Sequence, residues 1–198
     1  PDVPEGLRAA NAVRLAYEDS LRNAYVATFP TAETLKNFPI PEAIPYIIKA
    51  RGNWRTIKAF VEKYAQQSQR ALDLLNTLTD KDLRDMPMVI LDDNMQAKSN
   101  QLSPRVEYEM ILKPFKQFFE TKAFTPEEVV RFQHDPAQLV AWIRQHIKLN
   151  PDTRAMRIPQ TPISVWESRL TDSRSRDIFF VDVARSLNIE ARMDYGSW

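Results

Sequence analysis

Cysteine is absent from this 198-residue chain, and glycine is scarce, with only 3 residues. Without cysteine the chain can form no disulfide, no thiolate metal site and no cysteine nucleophile. No apolar run approaches the roughly 18 residues that cross a bilayer, so the sequence predicts no membrane-spanning helix. Scarce glycine together with 14 prolines favours helical segments separated by proline-containing turns.

The charges of the chain nearly cancel. Lysine and arginine number 27 and aspartate and glutamate 26, which gives a formal net charge of +1. This balance argues against a nucleic-acid partner bound through a basic surface. A hydrophobic content of 43% supports a substantial core, and the length has room for one large or two small domains.

Helical spacing of apolar residues dominates the first three quarters of the chain, and no segment alternates as a strand would. Helices are predicted over 5–29, 54–67, 68–78, 81–84, 104–121 and 136–149, and a further helix is predicted to begin at Pro126. Asn53 is expected to cap one of these helices, and Thr125 and Asp135 each precede a proline at a first helical position. Residues 85–104 are expected to be irregular, with at most a short buried turn at 88–91.

The composition changes after Asn150. Residues 151–198 contain seven arginines and no lysine, against seven acidic residues. Arginine favours bidentate pairing with carboxylates. We therefore predict a helical N-terminal domain over 1–150 and a different unit over 151–198, which opens with a short helix at 163–170.

Residues 171–192 form the most informative segment. They read TDSRSRDIFFVDVARSLNIEAR, and their apolar stripe is Ile178, Phe179, Val181, Val183, Ala184 and Leu187. The stripe predicts a core helix. Residues 189–192 follow at a point where a helix would give way to a strand.

This segment resembles the core helix of the transglutaminase-like superfamily, in which a catalytic cysteine opens the helix and an "ARALGIPAR"-type sequence closes it. Residues 184–192 (ARSLNIEAR) match that ending. Residues 161–177, with Thr161-Pro162 and Ser175-Arg176-Asp177, resemble the entry to the core in transglutaminase-like proteins of the Bacteroidetes type. The resemblance implies a mainly α chain, in which a helical domain precedes the leading helix of a papain/transglutaminase-like α+β core.

The family spacing places Ser173 at the position of the nucleophilic cysteine. A serine there needs a general base, and the family's His and Asp follow on later strands. His134 and His146 lie upstream and do not match that histidine. The alternative role of Ser173 is helix capping, together with Asp172, and Ser175 competes for the nucleophile position if the alignment slips by two residues.

Candidate binding residues cluster before the core helix. Arg169, Asp172 and Arg176 form a charge-paired brace or a carboxylate- or glycan-binding site, and Trp166 could stack on a sugar. Trp54 and Trp142 are expected in the core. Asp92-Asp93-Asn94 carries oxygen ligands without the rest of a calcium loop, so no metal site is predicted there. No cofactor is expected.

Two functional classes follow. The first is a catalytically inactive, secreted or surface-attached bacterial protein, hence extracytoplasmic, that binds or scaffolds on peptide or glycan ligands. The second is part of an enzyme for acyl transfer or amide hydrolysis whose His and Asp lie beyond residue 198. The start at Pro1 and the end shortly after the core helix suggest a fragment of a longer protein.

Overall fold

The computed structural model describes residues 2–97, 114–152 and 159–193, and in these the protein is mainly α, as predicted. The helices are α1 (Glu5–Val26), α2 (Ile44–Lys49), α3 (Trp54–Lys63), α4 (Ser68–Thr77), α5 (Asp80–Asp85), α6 (Met88–Met95), α7 (Lys116–Phe118), α8 (Pro126–His134), α9 (Pro136–His146), α10 (Pro162–Ser168) and α11 (Ser173–Ser186). Turns of 3₁₀ helix at Pro41–Ala43, Arg51–Asn53 and Ala65–Gln67 precede α2, α3 and α4, and α7 continues into a π-helical turn at Phe119–Ala123. No helix in these ranges is both long and apolar enough to span a membrane.

Side-chain caps set many of the helix starts. Thr79 and Thr125 each form a complete capping box, with Asp82 and Glu128 respectively. Asp135, Thr161 and Asp172 each accept a hydrogen bond from a backbone N–H of the following turn. These contacts satisfy donors that a helix start leaves free, and they confirm the starts predicted at Pro126 and Pro136.

The first hydrophobic cluster lies between residues 35 and 97. Its fully buried side chains come from α2 to α6 and include Ile47, Ile57, Phe60, Leu74, Leu75, Ile90 and Leu91. Trp54 is half-buried at the edge of this cluster. The cluster explains why these short helices are stable, because helices of this length depend on tertiary packing.

The second cluster is rich in aromatic residues and is built around α11. It combines Phe119, Phe132, Leu139, Ile143, Val165, Phe179, Val183 and Leu187. Its members come from both sides of residue 150, so the apolar packing does not divide at the boundary that composition predicts. The packing changes instead between Ala97, in the first cluster, and Phe115, in the second.

A buried carboxylate connects the two clusters. Asp93, on α6, accepts hydrogen bonds from the backbone N–H groups of Phe115 and Lys116, each at 3.0 Å. Phe115 is the N-cap residue of α7 and Lys116 is its first helical residue, so their N–H groups have no partner within the helix. Asp93 therefore caps α7 from a position 22 residues earlier in the chain.

Two local predictions are wrong. Residues 88–95 form helix α6 rather than a turn in an irregular region. Asn53 occupies the N-cap position of α3, as expected, but its side chain makes no capping hydrogen bond. Its side-chain amide instead donates to the carbonyls of Leu83 and Met86, both at 2.9 Å, at the end of α5. The sequence offered no sign of this long-range partner.

The strand content also differs from expectation. Strands β1 (Lys148–Leu149) and β2 (Leu170–Thr171) pair in parallel, with Lys148 opposite Leu170, whereas the sequence favoured a strand at 189–192. Residues 189–193 adopt no regular structure. The part of the helix predicted at 104–121 that falls in 98–113 lies outside the described residues.

Candidate functional site

Helix α11 begins at the position where the resemblance places a nucleophile. Asp172 is its N-cap, and the Asp172 carboxylate accepts a hydrogen bond of 2.6 Å from the N–H of Ser175. Ser173 is the first helical residue and is exposed. The cap thus leaves Ser173 pointing away from the packed side of a 14-residue helix.

Ser175 is fully buried. Its hydroxyl oxygen accepts a hydrogen bond of 3.1 Å from the backbone N–H of Gln160. The Gln160 side chain in turn donates to the hydroxyls of Ser164 and Ser168 on α10. Ser175 therefore ties the segment before α10 to α11, and its burial makes it a poorer nucleophile candidate than Ser173.

The structure does not bring either histidine into contact with Ser173. His134 ends α8 and is exposed, while His146 ends α9. The Nδ1 atom of His146 donates to the carbonyl of Trp142 at 2.8 Å. Among the described residues the Ser173 side chain has no hydrogen-bond partner.

The predicted binding residue Arg169 lies instead against two tryptophans. The indoles of Trp142 and Trp166 stack with an interplanar angle of 11° and centroids 5.4 Å apart. The Arg169 guanidinium carbon lies 4.0 Å from the Trp166 centroid and 5.1 Å from that of Trp142. Both distances fall within the range of cation–π attraction.

Backbone geometry holds Arg169 in place. It ends α10 in the left-handed conformation, with a φ of 57°. Its Nε donates to the carbonyl of Trp166 at 2.6 Å, which satisfies one of the free carbonyls of the helix end.

The aromatic stack includes a second ring from α9, that of His146. The His146 ring lies 4.3 Å from the Trp142 centroid at an angle of 16°, and the ring of Phe124 meets both tryptophans edge-on. The sequence predicts Trp142 in the core and places His146 in the helix expected over 136–149. Their spacing of four residues on α9 places them on one face, but nothing in the sequence indicated that Trp166 would join them.

The charge of Arg169 has no acidic partner within the described ranges. No described carboxylate lies within ion-pair distance of it. Burial against the tryptophans lowers the pKa of its guanidinium from the usual value. Asp172, predicted beside it as a brace or ligand contact, is used as the cap of α11, and Arg176 is half-buried on the first turn of that helix.

Charged groups inside α11 have structural partners. Arg185 is almost fully buried, and its Nε donates to the carbonyl of Ala191 at 2.8 Å. Burial lowers the pKa of Arg185, and the nearby charge of Asp182 opposes that shift. These contacts fix the segment that follows α11.

The acidic run at 92–94 lies on α6 and not in a loop. Asp92 pairs with Lys63 and Tyr64, Asp93 caps α7, and the Asn94 amide donates to the carbonyl of Ile90. The described part of the chain contains no cluster of metal-ligating side chains.

Comparisons of the chain with protein-family models, with curated proteins and with solved structures gave no match.

Proposed function

We propose that the chain belongs to a transglutaminase-like protein of the Bacteroidetes type that binds peptide or glycan ligands without cysteine chemistry. The protein would be secreted or attached to the cell surface. The binding role is supported by the position of Arg169, whose guanidinium lies over Trp142 and Trp166 and has no described carboxylate within ion-pair distance.

The charge of Arg169 favours a ligand that carries a carboxylate. A guanidinium presents planar donors that match the two oxygens of a carboxylate. Here the Nε atom is already engaged with the Trp166 carbonyl, which leaves the terminal nitrogens as donors. A ligand carboxylate would supply the counter-charge that no described side chain provides.

The tryptophans favour a ligand with an apolar face next to its carboxylate. Trp166 and Trp142 are half-buried rather than enclosed. Indole faces and edges pack well against sugar rings and against aliphatic peptide side chains. A uronic acid or a peptide carboxyl terminus combines both features, and Arg176 is a second basic residue of the proposed surface.

A binding titration tests this function. The intact chain is titrated with methyl glucuronide and with methyl glucoside, which differ in the carboxylate, and with a short peptide in its free-acid and amidated forms. Tryptophan fluorescence reports binding beside Arg169. We expect the acidic member of at least one pair to bind and its neutral counterpart to bind at least tenfold more weakly, since charged hydrogen bonds contribute about 1.5–3 kcal/mol.

Two variants localise the binding. Arg169→Gln should abolish the preference for the acid, while Arg169→Lys should retain part of it, because lysine keeps the charge but loses the planar fork. Arg174→Gln, at an exposed position on α11, is the matched control. Equal binding of the acidic and neutral probes would refute the proposed site. So would a loss of acid preference in Arg174→Gln as large as that in Arg169→Gln.

A second candidate function is acyl transfer or amide hydrolysis, with a His and an Asp contributed from beyond residue 198. The exposure of Ser173 at the first residue of α11 favours it. The test is labelling of the protein by a serine-directed fluorophosphonate. Labelling lost in Ser173→Ala would support the enzyme, and absence of labelling in a protein that contains such a His and Asp would exclude it.

A further inference from the structure

Helix α1 has an apolar face that the described structure leaves uncovered. The helix spans 22 residues, about 33 Å at 1.5 Å per residue, and has no buried residue. Its large apolar side chains are more than half exposed, namely Leu7, Val13, Leu15, Tyr17, Leu21, Tyr25 and Val26. Helices in proteins gain most of their stability from packing one face against a neighbour, so we infer that this one has a partner.

Three of these exposed side chains, Leu7, Tyr17 and Leu21, belong to one regularly spaced row. Leu7, Ala10, Arg14, Tyr17, Leu21 and Ala24 recur at alternating spacings of three and four residues. Residues at this spacing lie on one face of a helix and form the seam of a coiled coil. The face carries two large aliphatic residues, two alanines, one arginine and one tyrosine.

We propose that the partner of α1 is the α1 helix of a second copy of the chain, packed antiparallel. In this arrangement Leu7 faces Ala24 of the second copy and Ala10 faces its Leu21. Leucine therefore meets alanine at the outer levels of the seam, which allows close packing there. The contact is the same in both directions, as a two-fold symmetric interface requires.

The central residues distinguish antiparallel from parallel pairing. In the antiparallel register Arg14 faces Tyr17 of the second copy, a cation–π pair. Glu18 of the second copy then lies at nearly the level of Arg14 and on the same side. Parallel pairing would place Arg14 against Arg14, and like charges in a seam repel.

The charge of α1 argues against a lipid surface as its partner. Its ionisable residues are Glu5, Arg8, Arg14, Glu18, Asp19 and Arg22, so acidic and basic groups are equal in number. Within the helix Arg14 pairs with Glu18 and Arg22 with Asp19. Helices that bind anionic membranes carry an excess of lysine and arginine instead.

Sedimentation of the intact chain gives the first test. We expect a concentration-dependent dimer. Leu21→Arg should weaken it by at least about a hundredfold, because each dimer loses two buried leucines. Leu15→Arg, on the opposite face of α1, is the matched control and should leave dimerisation unchanged. A monomeric chain at all concentrations would refute the proposal.

The lack of cysteine allows a second test that does not depend on the folding of an arginine variant. Ala10→Cys and Leu21→Cys chains are mixed and oxidised, and the products are separated without reductant. The antiparallel register predicts a disulfide-linked heterodimer in the mixture and little crosslinking in either variant alone. Efficient crosslinking of Ala10→Cys with itself would indicate parallel pairing, and equal crosslinking through Leu15→Cys would indicate random collision. Either result would overturn the proposal.

Discussion

The side-chain ammonium of Lys116 donates a hydrogen bond of 3.0 Å to the backbone carbonyl of Ser186, 70 residues later in the chain. Lys116 is 5% exposed and also pairs with Glu120 on its own helical segment. Ser186 is the last residue of α11, whose carbonyl has no partner within the helix. A buried lysine thus fastens α7 to the end of the central helix.

Lys116→Met should destabilise the protein by about 1–3 kcal/mol, because the Ser186 carbonyl is left buried without a donor while the aliphatic stem is kept. The measurement is chemical denaturation followed by circular dichroism. Lys122→Met, at an exposed position in the π-helical turn, is the control and should change stability little. Equal stability of the two variants would show that the buried ammonium contributes nothing net.

The stability of the first cluster should depend on pH through Asp92. Burial alone would raise the pKa of Asp92, but hydrogen bonds from Lys63 and Tyr64 outweigh it and hold that pKa below its usual value. A lowered carboxyl pKa stabilises the fold fully above the unfolded value of about 4, and this contribution is lost as the pH falls through the folded pKa.

Asp92→Asn should therefore be less stable than the unsubstituted chain near neutral pH, and the difference in stability should shrink in acid.

The pKa of Tyr64 is raised to about 12, first by burial and then by its hydrogen bond to Asp92. Tyr64→Phe should remove a loss of stability that begins as the pH rises above about 10. Melting temperatures over a pH series check both expectations, and a difference independent of pH would contradict them.

Leu187 is fully buried at the end of α11. Leu187→Ala should cost about 2–5 kcal/mol through lost apolar contact and the cavity that remains. Leu149→Ala, which is 45% exposed, should cost far less. A loss well under 1 kcal/mol for Leu187→Ala, measured by denaturant unfolding, would mean that the site collapses around the smaller side chain.

The position of Ser173 at the start of α11 predicts an altered thiol in Ser173→Cys. Free N–H groups and the positive end of the helix dipole should lower its pKa below the free value of about 8.5. The rate of alkylation over a pH series measures this, with the denatured variant and Ser20→Cys, on the exposed face of α1, as controls. An unshifted pKa would remove Ser173 from the nucleophile-equivalent position.

Turnover is a separate expectation for the same site. The chain as given should show no transglutaminase or amidase activity, and Ser173→Cys should not create it, since no described residue supplies a base. Activity of the unsubstituted chain that disappears in Ser173→Ala would overturn the inactive interpretation.

The helices with strong local signals were predictable from the sequence. Thr125 and Asp135 marked their helix starts because a cap acts on residues within one turn. The apolar spacing of α11 likewise predicted the burial of Phe179, Val183, Ala184 and Leu187. Each of these features depends on neighbours in the chain.

Contacts between distant segments were not predictable. The sequence around Asn53 indicates a side-chain cap for α3, but the Asn53 amide instead donates hydrogen bonds to two carbonyls at the end of α5. The two-residue strands β1 and β2 are too short to show alternation. Trp142 and Trp166 come from segments that meet only when α9 and α10 pack on α11, so the tryptophan pair beside Arg169 had no local signal.

The two clusters become complete at different times during synthesis on the ribosome. All the elements of the first cluster have been made once residue 97 has emerged, whereas the second depends on α11, which comes last among its helices. About 40 residues separate the end of α9 from the end of α11. Phe132, Leu139 and Ile143 therefore lack their packing partners on α11 until those residues have been synthesised. A truncated chain of residues 2–97 should retain a folded core. A truncated chain that ends before α11 should leave the second cluster exposed to aggregation and proteolysis.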